Sequence, residues 1–398
     1  MYVRSLAARC AGVRSYIKSR LATRRRGILV AALAALALAG ATTAAVPAIA
    51  AAARVPAASA AAASAKWHSQ HIPSGVSGLR LHGVSCVKGG KDCAADGMFC
   101  VEDCGGLIPA GVLTTTNSGK TWKKRSLPKN LGNPGPISCG SSTFCVAPVA
   151  KGAPPSTTES FLVTTNGGSS WKVVAAPDDD QVQDVSCPAA KTCFGTSYFG
   201  SNGIIDKTTN GGGHWTSKTV PAAGLTKISC TSASHCVALA DDGSAFIYTT
   251  NGSSWHLVSA PGSPDLGAIG CASKSVCFAA GTNSARTANV VLITANGGKS
   301  WKTKGLPSAL DEINGVACAS AKRCVVVGEV EVTSESSNKA IYATTNGGSK
   351  WAKQSIPSGD DQLDGVWCSA KFYCLAAGSY SKVSKGTITG AGPYILAS

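Results

Sequence analysis

One motif, Thr-x-Asn-x-Gly-x-x-Trp, recurs through the chain and restricts what it can fold into. It stands at Thr115–Trp122, Thr164–Trp171, Thr208–Trp215, Thr294–Trp301 and Thr344–Trp351, and one residue shorter at Thr249–Trp255. Its asparagine (Asn117, Asn166, Asn210, Asn251, Asn296, Asn346) can bond backbone N–H groups two residues on. Its glycine takes positive φ at no steric cost. An apolar, β-branched run such as Val290-Val291-Leu292-Ile293 precedes the turn, and a short alternating run from Trp to Pro follows it. That is strand, tight turn, strand. Six copies, spaced about 40 to 50 residues apart, indicate a repeat architecture.

Cysteine spacing gives the repeat a second marker. Of 17 cysteines, Cys10 lies in the N-terminal segment, leaving an even number. Twelve form six pairs of equal spacing: Cys139/Cys145, Cys187/Cys193, Cys230/Cys236, Cys271/Cys277, Cys318/Cys324 and Cys368/Cys374. In the first repeat, Gly83-Val84-Ser85-Cys86 aligns with Gly315-Val316-Ala317-Cys318, and Phe99-Cys100-Val101 with Phe144-Cys145-Val146. This alignment predicts Cys86–Cys100 and, with the two cysteines left over, Cys93–Cys104. Zinc would need clustered Cys and His, and the six histidines have no such spacing, so neither metal nor cofactor is expected. Disulfides in an oxidising compartment are the expectation.

Lys66–Pro73 reads as a Trp-to-Pro strand with no turn before it, while the last repeat, from Asp360, has its Cys pair but lacks the turn motif. The spare N-terminal strand therefore replaces the missing last one. The expectation is an all-β protein without helix, a ring of seven four-stranded blades over residues 66–398.

Residues 1–65 stand apart. They hold nine of the 37 Lys and Arg and no acidic residue. Arg24, Arg25 and Arg26 precede the apolar run Gly27–Gly40, with small-residue sites near Ala50, Ala60 and Ala65. This is the pattern of an export signal, either cleaved or retained as an anchor, since Gly27–Ala53 is long enough to span a bilayer. Without this segment 28 basic residues face 21 acidic ones, a charge of +7, so a nucleic-acid partner is not expected.

The turn motif resembles the Asp box of bacterial-neuraminidase-repeat propellers. The order of strand, Cys pair, Cys-Val-x-x-Gly, strand and turn is most similar to photosystem II assembly and stability factors and their WD40/YVTN/BNR-like relatives, and more distantly to sialidases. The resemblance covers residues 66–398, although Asn stands where the family prefers Asp. It implies that the six asparagines are structural. Sialidase chemistry needs three convergent arginines, and beyond Arg54 the chain has only Arg80, Arg125, Arg286 and Arg323, two of them poorly placed.

Eighteen of the 21 acidic residues fall in connections expected on one face of such a ring, while Lys88, Lys91, Lys120, Lys191, Lys274, Lys299, Lys322, Arg323, Lys350 and Lys371 fall on the other. Asp184, Asp311, Glu312, Asp361 and Asp364 are the candidates for an acidic channel mouth. The reading is an exported, monomeric, non-catalytic module binding a protein or glycan. The alternative is a glycoside hydrolase using a pair of loop carboxylates.

Overall fold

The computed structural model describes residues 66–398 apart from 100–108, 133, 153–156, 178–180, 200, 242, 308–309, 334–335, 359–360 and 385–386. Seven antiparallel sheets follow one another along this part of the chain, and among the described residues there is no α-helix. Each is a blade whose strands, from the inside outwards, are a, b, c and d. The inner strands are Leu79–Cys86, Gln181–Ala189, Leu225–Ser232, Asp265–Cys271, Glu312–Cys318 and Asp361–Cys368 in blades 1 and 3 to 7. In blade 2 the inner strand is split into Leu131–Gly132 and Ser138–Cys139. Pro134 and Pro136 lie in the gap and have no N–H to give to a ladder.

Closure uses the N-terminal segment. His68–Ser69 forms strand d of blade 7, with His68 opposite Ala397 and Ser69 opposite Leu396. Apolar clusters fill every seam between consecutive blades. Leu79, Leu81 and Val84 of blade 1, for example, pack with Leu375, Ala377 and Ile395 of blade 7. The ring has no free sheet edge at its seam, which is how radial repetition protects strand edges.

The repeated turn explains its own sequence. In each copy the Thr hydroxyl donates to Asn Oδ1, at 2.9 Å between Thr294 and Asn296. The same hydroxyl accepts the N–H of Gly298 at 3.0 Å, and Asn296 Oδ1 accepts that of Ser300 at 3.0 Å. Gly298 has φ 95°, a left-handed conformation in which other residues are strained. The turn thereby delivers the Trp to the neighbouring blade. Trp215 of blade 3 stacks on Phe161 of blade 2 at 3.7 Å, and Trp301 of blade 5 on Phe246 of blade 4 at 3.9 Å.

Strand a carries a bulge in blades 1 and 3 to 7, four residues before its first Cys: His82, Gln183, Thr226, Gly267, Asn314 and Asp364. The bulge pushes a carbonyl towards strand b, which accounts for the glycine of Cys-Val-x-x-Gly. A Cβ on Gly328 or Gly378 would fall on the carbonyl oxygen of Glu312 or Gln362.

Polar clips join blades 1 to 5. Ser85, Ser138, Ser186 and Ser229, each just before the first Cys of its blade, accept the N–H of Cys139, Cys187, Cys230 and Cys271 in the next blade at 2.9–3.0 Å. Two buried carboxylates add to this. Asp96 Oδ1 accepts Ile137 N–H at 2.9 Å, and Asp184 Oδ2 accepts Ile228 N–H at 3.0 Å. In blades 5, 6 and 7 the serine position holds Gly270, Ala317 and Trp367. There backbones approach directly, and a Cβ on Gly270 would lie 2.6 Å from the Val316 carbonyl oxygen.

Among the described residues seven disulfides tie strands a and b at their shared end, as suits an oxidising environment. The six pairs of equal spacing are bonded as their spacing suggests: Cys139–Cys145, Cys187–Cys193, Cys230–Cys236, Cys271–Cys277, Cys318–Cys324 and Cys368–Cys374. The second cysteine of each pair, at or next to the start of strand b, is buried. Cys193, Cys236, Cys324 and Cys374 are closed to solvent almost completely and belong to the apolar clusters of the seams. These cysteines are therefore interior staples and no part of a surface site.

The first blade differs from expectation. Cys86 bonds Cys93, not Cys100, with the two Cα atoms 4.0 Å apart. Strand b is Cys93–Phe99, and Cys93 sits opposite Cys86 in the ladder as Cys277 sits opposite Cys271. The extra residues therefore enter after strand b, and a Cys93–Cys104 bond is excluded; Cys100 and Cys104 lie outside the described residues.

Non-reducing peptide mapping should recover a Cys86–Cys93 peptide pair, and recovery of Cys86 with Cys100 would contradict the hairpin register. The interior carboxyls give a second test. Burial raises that of Asp96 to about 7 and that of Asp184 to about 6, with Ile137 N–H and Lys227 respectively opposing the shift. Both lie above the unfolded value, so the folded state binds these protons more tightly. Their contribution to stability is complete below about pH 4 and is lost as pH rises through 6 to 7. Asp96→Asn with Asp184→Asn should therefore lessen the fall in stability between pH 4.5 and 7.5 by a few kcal/mol, as an order of magnitude. Chemical denaturation at the two pH values measures it; an unchanged difference would mean that neither group titrates.

Candidate binding channel

The bulge decides which side chains reach the axis. On either side of it strand a is buried, as at Leu81 and Gly83 or Ile313 and Gly315, whereas His82, Gln183, Thr226, Asn314 and Asp364 keep partial contact with solvent. Because strand a is innermost, these residues line the axial channel. His82 and Asn314 also bridge blades. The His82 imidazole, held neutral chiefly by burial, places Nδ1 at 3.2 Å from the Pro134 carbonyl, so Nδ1 carries the proton and donates. Asn314 Nδ2 donates to the Leu363 carbonyl at 3.0 Å.

Asp364 has no hydrogen-bond partner among the described residues. Its carboxyl is raised to about 7, first by desolvation and then by repulsion from Glu329 and Glu312, against attraction from Lys227 and Arg80. Glu312 begins strand a of blade 6 and lies directly opposite Glu329 in the ladder. Like charges so placed repel. Glu329 accepts hydrogen bonds from Asn314 at 3.4 Å and Gln362 at 3.3 Å. Blades 6 and 7 thus bring three carboxyl groups to one side of the channel.

The other side is cationic. Lys227 of blade 4 acts electrostatically on His82 and Asp96 of blade 1, Asp184 of blade 3 and Asp364 of blade 7. Influence over three other blades sets its ammonium group near the axis. Arg80 of blade 1 acts on His82 and Asp364 from the same end.

The candidates from sequence separate accordingly. Asp311 and Glu312 are exposed where the inner strand of blade 6 begins, and Asp364 is half-buried at the bulge in the inner strand of blade 7. Asp184 is not at the mouth. It is buried, and both its oxygens accept backbone N–H groups, from Val185 at 2.9 Å and Ile228 at 3.0 Å. Asp96 of blade 1 is likewise interior. The side chain of Asp361 lies outside the described residues. His82 and Lys227 were not among the candidates, although the count of four or three residues back from the Cys would have marked them.

Chemically the channel can hold a cationic group against Glu312, Glu329 and Asp364, with Lys227 of blade 4 and Arg80 of the neighbouring blade 1 acting on Asp364. No group of His, Cys, Asp and Glu among the described residues could hold a metal ion.

No family model matches the chain, and no curated protein matches it. Solved structures do. YCF48 bound to D1 peptide has a TM-score of 0.55 at 13% identity, covering 83% of this chain and 94% of that one. U3-55K has a TM-score of 0.57 at 10% identity, over 83% and 98%. A catalytically inactive virginiamycin B lyase from Staphylococcus aureus with quinupristin has 0.54 at 12%, over 83% and 98%. Such identities carry the fold alone. With seven four-stranded sheets closed by its own N-terminal strand, the chain has the fold of a seven-bladed β-propeller.

Proposed function

We propose that this propeller is an exported, monomeric binding module, and that it receives a cationic segment of a protein partner at the mouth formed by blades 6 and 7. The observation that carries this reading is the meeting of Glu312, Glu329 and Asp364 on one side of the channel, one of them without a hydrogen-bond partner among the described residues. A low-dielectric wall around such charges focuses their field on an incoming ligand. The export signal read in residues 1–65 and the seven disulfides agree with a site outside the cytoplasm. YCF48, whose fold is similar, is known with a bound peptide, which makes a protein partner the simpler choice over a glycan. Hydrolysis is less well supported, because Glu329 is engaged by Asn314 and Gln362 rather than turned free across a cleft.

A panel of short peptides carrying paired lysines or arginines, run beside neutral oligosaccharides, tests the reading. Cationic peptides should bind with an association rate that falls as salt rises, screening setting in over about 8 Å at physiological strength. Asp311→Lys with Glu312→Lys should slow association about tenfold or more while leaving the melting temperature nearly unchanged. Binding indifferent to both salt and charge reversal would overturn it, and oligosaccharide cleavage abolished by Asp364→Asn would establish the hydrolase instead.

A further inference from the structure

The face opposite the acidic mouth is built from the a–b loops and the c–d turns. They meet within each blade: the N–H of Gly347 donates to the Lys322 carbonyl, and that of Ser118 to the Lys91 carbonyl. This face carries exposed lysines at matching places in successive blades. The c–d turns place Lys299, Lys350 and Lys120 just before the Trp in blades 5, 6 and 1. The a–b loops add Lys274 in blade 5, Lys322 with Arg323 in blade 6, Lys371 in blade 7, and Lys88 with Lys91 in blade 1. Only Asp92 opposes them on those loops.

The placement is uneven around the ring. At the same turn positions blade 2 has Ser169-Ser170 and blade 4 has Ser253-Ser254, and the blade 2 a–b loop is Ser141-Ser142-Thr143. A charge serving only solubility would have no reason to avoid those blades. Apart from Lys191 in the a–b loop of blade 3, the cations of these loops and turns form a crescent over blades 5, 6, 7 and 1. Its loops are tied together, since the Tyr373 hydroxyl of blade 7 donates to the Ser118 carbonyl of blade 1, and Arg323 of blade 6 lies over the Phe372 ring of blade 7 at 5.8 Å.

We propose that this crescent is a docking surface for an extended anionic polymer with repeating phosphate groups. The charges sit on separate turns several residues apart, which suits a chain laid across the loops better than a compact anion. Lysine dominates, and it attracts anions as a point charge without the fixed fork of arginine, so it suits repeating groups of no set orientation. A lipid surface fits less well. Among the described residues the one exposed large apolar side chain is Leu257, on the outer strand of blade 4 and away from the crescent.

The test uses the disulfide-bonded chain with immobilised polyphosphate and polygalacturonate, which separate phosphate from carboxylate as the recognised group. Both variants lose the same charge: Lys322→Glu, Lys350→Glu and Lys371→Glu within the crescent, and Lys172→Glu, Lys302→Glu and Lys353→Glu on outer strands. Wild type should bind polyphosphate, and more tightly than polygalacturonate, with affinity falling as salt rises. The crescent variant should lower the slope of log affinity against log salt by roughly two to three, and the outer-strand variant should leave it unchanged. Equal losses in both variants would reduce the effect to net charge and overturn the proposal. So would the absence of polyphosphate binding at low salt, or tighter binding to polygalacturonate or anionic phospholipid vesicles than to polyphosphate. Asp311→Lys with Glu312→Lys should not weaken polymer binding, which separates this surface from the opposite mouth.

Discussion

Everything in this molecule depends on packing between blades that cannot bury their faces alone. A four-stranded sheet has two faces, and here each is covered by the next blade, through one apolar cluster per seam. In six of the seven seams the turn motif sets one large residue of the cluster, and Trp67 of the N-terminal strand takes that place in the seventh. Thr and Asn close the turn on themselves, the glycine lets the chain reverse, and the Trp that follows lies against the preceding blade, as Trp215 does on Phe161. Aromatic side chains bury the largest apolar area of any residue, so one per seam is an effective anchor.

The inner strands face a sharper geometric demand, because seven of them must crowd around one axis. In six of the seven blades the bulge in strand a answers it by turning one residue towards the channel and its neighbours towards the seams. Two solutions hold those strands side by side. From blade 1 to blade 5 serine hydroxyls and the Asp96 and Asp184 carboxylates accept N–H groups from the next blade. From blade 5 round to blade 1 small residues allow the backbones to touch, as at Gly270 and at Gly365, where a Cβ would lie 2.9 Å from the Gly83 Cα. The unclipped half is also the half with the acidic mouth on one face and the lysine crescent on the other.

Much of the fold was legible because its signals are local and repeated. Turn chemistry, Trp spacing and the surplus N-terminal strand suffice to count seven blades. The site was less legible because one residue of register changes a side chain's surroundings. Asp184 stands three residues before Cys187 and Asp364 four before Cys368. That difference, read through the bulge, puts one in a seam and the other in the channel. Cys86 was misassigned for a related reason. The match of Phe99-Cys100-Val101 to a later repeat was closer in residue type, but Cys93 with Gly97 four residues on reproduces the spacing of Cys324 and Gly328, and that spacing carries the hairpin register.

The central claim is that the ring is closed, so that the seam made by the N-terminal strand is as much a part of the fold as any internal one. Comparing the thermal stability of Trp67→Ala with that of Trp215→Ala tests it directly. Trp67 is buried between blades 6 and 7, as Trp215 is between blades 2 and 3. Each truncation should cost about 3–5 kcal/mol, with melting temperatures lowered to a similar extent in a single transition. A Trp67→Ala variant as stable as wild type, beside a Trp215→Ala variant that is not, would contradict closure.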